Sequence, residues 1–140
     1  MNGYKQEGFG LMDTTIYGGR RQSTSVTYLH PVINRRNLTV ITNTIVNKVI
    51  IENNKAVGVE CTKGREIKKI HAENEVILSA GAINSPQLLM LSGIGSAEEL
   101  KKWDISVQHD LKGVGENLQD HLETYLQYEC TKPVTLFTSY

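Results

Sequence analysis

Asp120, His121, Leu122 and Glu123 place three ionisable side chains within four residues. Alternate residues of extended chain share a face, so His121 and Glu123 project together while Asp120 projects to the other side. A His-x-Glu opening also begins the zinc deaminase signature, which needs a later Pro-Cys-x-x-Cys to complete the metal cage. None follows, and zinc is rejected. The remaining chemical use is Glu123 as counter-ion to a cationic ligand, with Tyr125 or Tyr128 offering a ring face to a quaternary ammonium. Tyr125 shares the alternation of His121 and Glu123; Tyr128 does not. The plain alternative is an exposed polar strand end with a solvated histidine.

The second chemical locus is Gly81, where a short apolar run gives way to a helix. Backbone amides and a helix N-terminus meet at such a junction and can face an anion or a cofactor. An ordinary strand-to-helix turn has the same pattern. No GxGxxG accompanies it, since Gly93-Ile94-Gly95 and Gly113-Val114-Gly115 each lack the third glycine. The nucleophile-elbow GxSxG, HExxH and Walker patterns are also absent. Ser79, Ser85 and Ser92 read as turn and cap residues.

The elements that must hold these loci follow from periodicity. Residues 1 to about 38 carry five glycines at 3, 8, 10, 18 and 19 and no sustained period, which predicts loop-rich chain. A short helical turn is expected from Ser23 to Leu29, ending ahead of Pro31. The β-branched runs Leu38–Thr42, Ile45–Ile51, Ala56–Cys61 and Glu66–Ala72, separated by turn-formers such as Asn53-Asn54 and Lys63-Gly64, predict an antiparallel meander. A further strand is expected over Glu75–Ala80. The helix after it is expected to take Ser85 as its cap and Pro86 as its first residue, to bury Leu88, Leu89 and Leu91, and to stop at Ser92-Gly93. Ser96 and Glu99 have capping-box spacing for a second helix, with Leu100, Trp103 and Ile105 inward. Gly113–Gly115 reads as a turn, and His121–Cys130 as a strand. The fold class is α+β, a meander followed by strand, turn and helix.

With 15 basic and 15 acidic side chains the net charge is zero, which argues against nonspecific nucleic-acid binding. Residues 1–70 hold 11 basic and 5 acidic side chains, and residues 71–140 hold 4 and 10. The two halves therefore complement each other, or the second carries a local cation site. Cys61 and Cys130 are too isolated for a zinc site or disulfide framework, which fits a reducing compartment. No run reaches the ~20 apolar residues of a membrane-spanning helix, and no signal or transit segment is read at the N-terminus. A sequon at Asn37 reads as chance. Length alone accommodates one domain and argues against two.

The run GAINSPQLLMLSGIG from Gly81 to Gly95 matches, position for position, the second signature of the glucose/methanol/choline flavin oxidoreductases, and GVGENLQDH from Gly113 to His121 is typical of them. On these residues the chain is identified as a member of that family. Tyr28 to Pro31, Asn37 to Thr39, Gly58 to Glu60 and Asp120 to Glu123 most resemble its choline-oxidising branch in animals. The resemblance implies part of an α/β, Rossmann-like FAD-binding fold, with FAD as cofactor and hydride transfer from an alcohol to flavin N5. It implies that Val46 touches the adenine through its backbone, and that Ser79, Ala80, Gly81 and Ala82 lie beside the ADP moiety. Glu123 would hold a trimethylammonium head, with His121 close by.

By the same resemblance, residues 1–120 are the middle of an FAD-binding domain and residues 121–140 the start of a substrate domain. The substrate is a small alcohol, choline foremost, with no nucleic-acid partner, and the parent enzyme is mitochondrial and associated with the inner membrane. The family's pyrophosphate-cradling GxGxxG and its C-terminal His pair (or His/Asn) are not among these residues. No catalytic residue is therefore assigned, and these 140 residues alone are expected to lack turnover. A family branch acting on glucose or an aryl alcohol, and a noncatalytic truncated product acting only by binding, stand as alternatives, as does a piece with no stable function. The electron acceptor is left open.

Overall fold

The computed structural model describes residues 13–129 together with Tyr4, Gly8, Gly10, Thr131 and Lys132. The chain divides into two units, Met1–Thr44 and Ile45–Tyr140, where length alone accommodated one.

In the first unit, β1 (Ile16–Tyr17) and β2 (Arg20–Arg21) form a two-residue hairpin whose loop, Gly18-Gly19, has positive φ at both positions. That geometry matches the twist of paired strands and suits glycine. A helical turn spans Ser25–Leu29, anchored by the Thr27 amide donating to the Ser23 carbonyl. It passes straight into a second, tighter turn, His30–Val32, instead of ending before Pro31. Pro31 is tolerated because the first turn of a helix leaves its amides unpaired anyway. The strand expected at Leu38–Thr42 is not formed. Asn43 takes a left-handed conformation, and no ladder partner flanks the run among the described residues. β-Branched content alone does not make a strand without a neighbour to pack against.

In the second unit the expected meander is present. Strands β3 (Ile45–Glu52), β4 (Lys55–Lys63) and β5 (Glu66–His71) pair antiparallel in sequence order. Asn53 and Asn54, both at positive φ, make the two-residue connection from β3 to β4. Two bulges interrupt that ladder. At the first, Asn47 is left out between the pairs Val46↔Cys61 and Lys48↔Glu60, and its side chain bonds Thr62 at 2.8 Å. At the second, Gly58 sits where an added Cβ would lie 2.3 Å from the Ile70 carbonyl oxygen, so only glycine lets β4 and β5 approach this closely. All six residues of β5 are exposed, and its outer edge has no ladder partner among the described residues.

The strand expected at Glu75–Ala80 is not formed, although Val76 and Leu78 are half-buried and Ile77 and Ser79 exposed, the alternation of a strand. What it lacks is a neighbouring strand among the described residues. Helix α1 runs from Gly81 to Leu91, so it starts four residues before the expected cap and carries Pro86 inside. Ser85 still satisfies an end amide: its Oγ accepts from the Ala80 N–H at 3.0 Å. Leu88 and Leu89 are half-buried, but Leu91 is exposed. Ser92 and Gly93 end the helix as expected. Gly93, at φ +84°, turns the chain into β6 (Ile94–Gly95), which lies parallel to β7 (His109–Asp110).

Between them, α2 spans Ala97–Lys102 with Leu100 fully buried and Ile105 half-buried; Trp103 is 72% exposed, not inward. The expected capping box does not form. The Ala97 amide instead donates to Asp110 Oδ1 at 2.9 Å, while Glu99 pairs with Lys102 at 2.8 Å and accepts from the Trp103 indole. Those bonds hold the Glu99 carboxyl below its ordinary range.

Ser92 joins α1 to the sheet. Its Oγ accepts from the Val49 amide at 2.8 Å and donates to the Leu88 carbonyl at 2.6 Å, beside the buried Val49 and Cys61. Ser92→Ala in the full-length protein should cost about 1–3 kcal/mol, because the buried Val49 N–H loses its partner. A urea midpoint equal to wild type would show that water replaces the hydroxyl.

Candidate functional site

A groove of about 430 Å³ opens along one side of the second unit. Ile45, Val46 and Val59 of the sheet form one wall, Val76 to Ala80 form the rim, and Asn84, Gln87, Leu88 and Leu91 of α1 form the other wall. It lies where the 75–80 segment, which has no ladder partner among the described residues, reaches Gly81, whose φ of +90° bends the chain into α1. An added Cβ on Gly81 would meet open space, so the glycine serves the bend and not a tight contact. Val46 is 39% exposed here, just before the Asn47 bulge. Bulges re-aim the residues beside them, and nothing in the sequence marks this one. Its lining is mostly apolar, with Ser79, Asn84 and Gln87 adding polar groups, a combination that can take a flat ring with polar edges.

Val46, Ser79 and Ala80 therefore share one groove, with Gly81 at its end. Ala82 faces a second groove of about 790 Å³, between Ile83, Pro86 and Met90 of α1 and the stretch from Gly115 to Gln119. Sequence reading does not anticipate this second groove, and its only signal is the GVGENLQDH run. His121 and Glu123 line neither groove. They lie on exposed chain over 121–129, where the expected strand is not formed and no ladder partner is present among the described residues; Cys130 lies outside the described residues.

The Asp120 carboxylate accepts from the His121 amide at 2.8 Å. The Tyr125 hydroxyl donates to Glu123 Oε2, so these two side chains do lie together as their spacing predicts. The bond to the carboxylate, with a smaller contribution from desolvation, raises the Tyr125 hydroxyl above its ordinary range. Among the described residues no cluster of three or more His, Cys, Asp or Glu side chains is placed to hold a metal, and no helix is long and apolar enough to cross a membrane.

Residues 1–123 match the family model described as GMC oxidoreductase. The chain is 55% identical over 139 residues, 99% of its length, to the mitochondrial choline dehydrogenase of Mus musculus, and 53% identical over 135 residues to the oxygen-dependent choline dehydrogenase of Photobacterium profundum. It spans about a quarter of the length of these curated relatives, 23% and 24% respectively. Among solved structures, it resembles formate oxidase with a TM-score of 0.71 and 35% identity, covering 76% of this chain and 18% of that one. It resembles pyridoxine 4-oxidase from Mesorbium loti with a TM-score of 0.65 and 33% identity, covering 69% of this chain and 19% of that one. These likenesses agree with the partial α/β character of the second unit, and the chain belongs to the GMC oxidoreductase family.

Proposed function

We propose that these 140 residues are part of an FAD-dependent choline dehydrogenase that oxidises choline to betaine aldehyde. The observation that carries this reading is the 55% identity to mouse choline dehydrogenase across nearly the whole chain. Residues 1–120 would belong to the FAD-binding domain and residues 121–140 to the start of the substrate domain. In this reading, the groove at Val46, Ser79 and Ala80 takes the adenosine end of FAD, with Gly81 and Ala82 beside the diphosphate. Bound there, FAD supplies a hydride-accepting N5 for the alcohol carbon. The protein's own contribution from this chain is to bind and orient: Glu123 pairs with the trimethylammonium head, and His121 lies beside it in sequence. With this goes mitochondrial residence, which rests on the animal relatives; bacterial relatives match almost as well, so fractionation of the full-length protein tests that part separately.

The flavin part is tested at the groove. Ala80→Trp should crowd it by about 1–3 kcal/mol of overpacking, weakening FAD affinity about tenfold. The measurement is flavin absorbance per protein after dialysis of the full-length enzyme. Full flavin retention in a folded Ala80→Trp variant would remove the groove from cofactor binding. Purified full-length protein that carries flavin but leaves choline unoxidised would overturn the substrate.

A further inference from the structure

A quaternary ammonium is an unusual partner for a carboxylate, because it brings charge but no N–H. A primary ammonium donates hydrogen bonds to the oxygens it approaches, whereas a trimethylammonium head leaves them without a donor. Once water is excluded around the pair, an acceptor without a donor is penalised. A carboxylate used to hold such a head therefore needs its donor from the protein.

The structure places one beside Glu123: the Tyr125 hydroxyl donates to Glu123 Oε2, across the i to i+2 spacing that puts both side chains on one face of extended chain. The other oxygen, Oε1, has no hydrogen-bond partner among the described residues, which leaves it to face a ligand. The Tyr125 ring is 83% exposed and lies beside the same carboxylate, where it can add a cation–π contact.

We propose that Tyr125 is a positioning residue that fixes the Glu123 carboxylate and tunes it for cations lacking N–H groups, so that the site prefers fully methylated ammonium heads over primary ones. This rests on the assignment of Glu123 as counter-ion under the proposed function. Phenylalanine at this position keeps the ring and removes only the donor, so Tyr125→Phe isolates the hydroxyl.

The test compares two dead-end inhibitors of the full-length enzyme at neutral pH, tetramethylammonium with no N–H and methylammonium with three. Tyr125→Phe should weaken tetramethylammonium about tenfold, the size of one hydrogen bond to a charged group. Methylammonium, which supplies its own donors, should change by less than about twofold. The choline KM should rise about tenfold at nearly constant kcat, because a head-group contact made equally in ground and transition states affects KM alone. Flavin content reports that the variant is folded.

Equal weakening of both inhibitors, or no weakening of either, overturns the role of Tyr125. Glu123→Gln keeps the two ideas apart. If it abolishes the tetramethylammonium effect while Tyr125→Phe is neutral, only the positioning role falls. If Glu123→Gln leaves tetramethylammonium affinity intact, the counter-ion assignment falls and the positioning role with it.

Discussion

Glu123→Gln in the full-length enzyme should raise the KM for choline about a hundredfold, with FAD content unchanged. Removing one partner of a charge pair that becomes desolvated costs about 2–5 kcal/mol, and each 1.4 kcal/mol is about tenfold in binding. Glutamine preserves shape and the ability to accept from Tyr125, so the loss reports the missing charge. The uncharged isostere of choline, with carbon in place of nitrogen, supplies the control: its KM should hardly move, since it has no charge to lose. Separation of Glu123 from the groove at Val46 and Ser79 predicts the unchanged flavin content, because Glu123 lines neither groove. A choline KM equal to wild type at full flavin loading would take Glu123 out of substrate binding and return His121 and Glu123 to the status of solvated surface residues.

The second large effect is expected at Gly93, and a comparison with Gly81 shows why. Both glycines have left-handed backbones, at φ +84° and +90°. At Gly81 an added Cβ meets nothing within 4 Å; at Gly93 it would lie 2.4 Å from the Ser106 carbonyl oxygen and 2.8 Å from Gln108 Cγ. Gly81→Ala should thus show the conformational cost alone, about 1–2 kcal/mol. Gly93→Ala adds the displacement of the Ser106 backbone, for a total of about 3 kcal/mol or more. That displacement also strains the bonds by which Gln108 and His109 both donate to the Gly93 carbonyl, and these position β7. Urea midpoints of the two full-length variants provide the measurement. Equal losses would mean that the chain from Ser106 to Gln108 does not press on Gly93.

The meander was legible because its information is local. β-Branched runs separated by Asn53-Asn54 and Lys63-Gly64 specify both the strands and the tight connections, and those connections occur. The three other expected strands, at 38–42, 75–80 and 121–130, had the same residue preferences but no neighbour among the described residues. A ladder depends on two segments, and only one of them is written at the site. The start of α1 differs from expectation because proline's commonest place is the first helical position, whereas the bend at Gly81 opens the helix a turn ahead of Pro86.

The capping box at Ser96 failed for a different reason. Asp110 reaches the Ala97 amide from β7, while Lys102 and Trp103 draw Glu99 away. Long-range competition of this kind is invisible in local spacing. The same holds at the site. Val46 and the Ser79-Ala80 pair share a groove only because the sheet and α1 bring distant segments together, whereas the Glu123–Tyr125 pair was readable from alternation. The Asn47 bulge and the buried role of Ser92 were not readable, since each depends on a partner strand.

The outer border of β5, which has no ladder partner among the described residues, has a consequence for the chain while it folds. Lys68 and Lys69 stand next to one another in the middle of that strand, on opposite faces, with Ile67 and Ile70 on either side. A second copy pairing antiparallel with β5, in the register that sets Lys68 opposite Lys69, would bring lysine against lysine on both surfaces, and like charges set directly opposite repel. The Lys68–Glu66 ion pair at 3.1 Å offsets part of this on one face. The two isoleucines favour such stacking, and the Lys69 charge, with what Glu66 leaves of the Lys68 charge, opposes growth into insoluble ribbons.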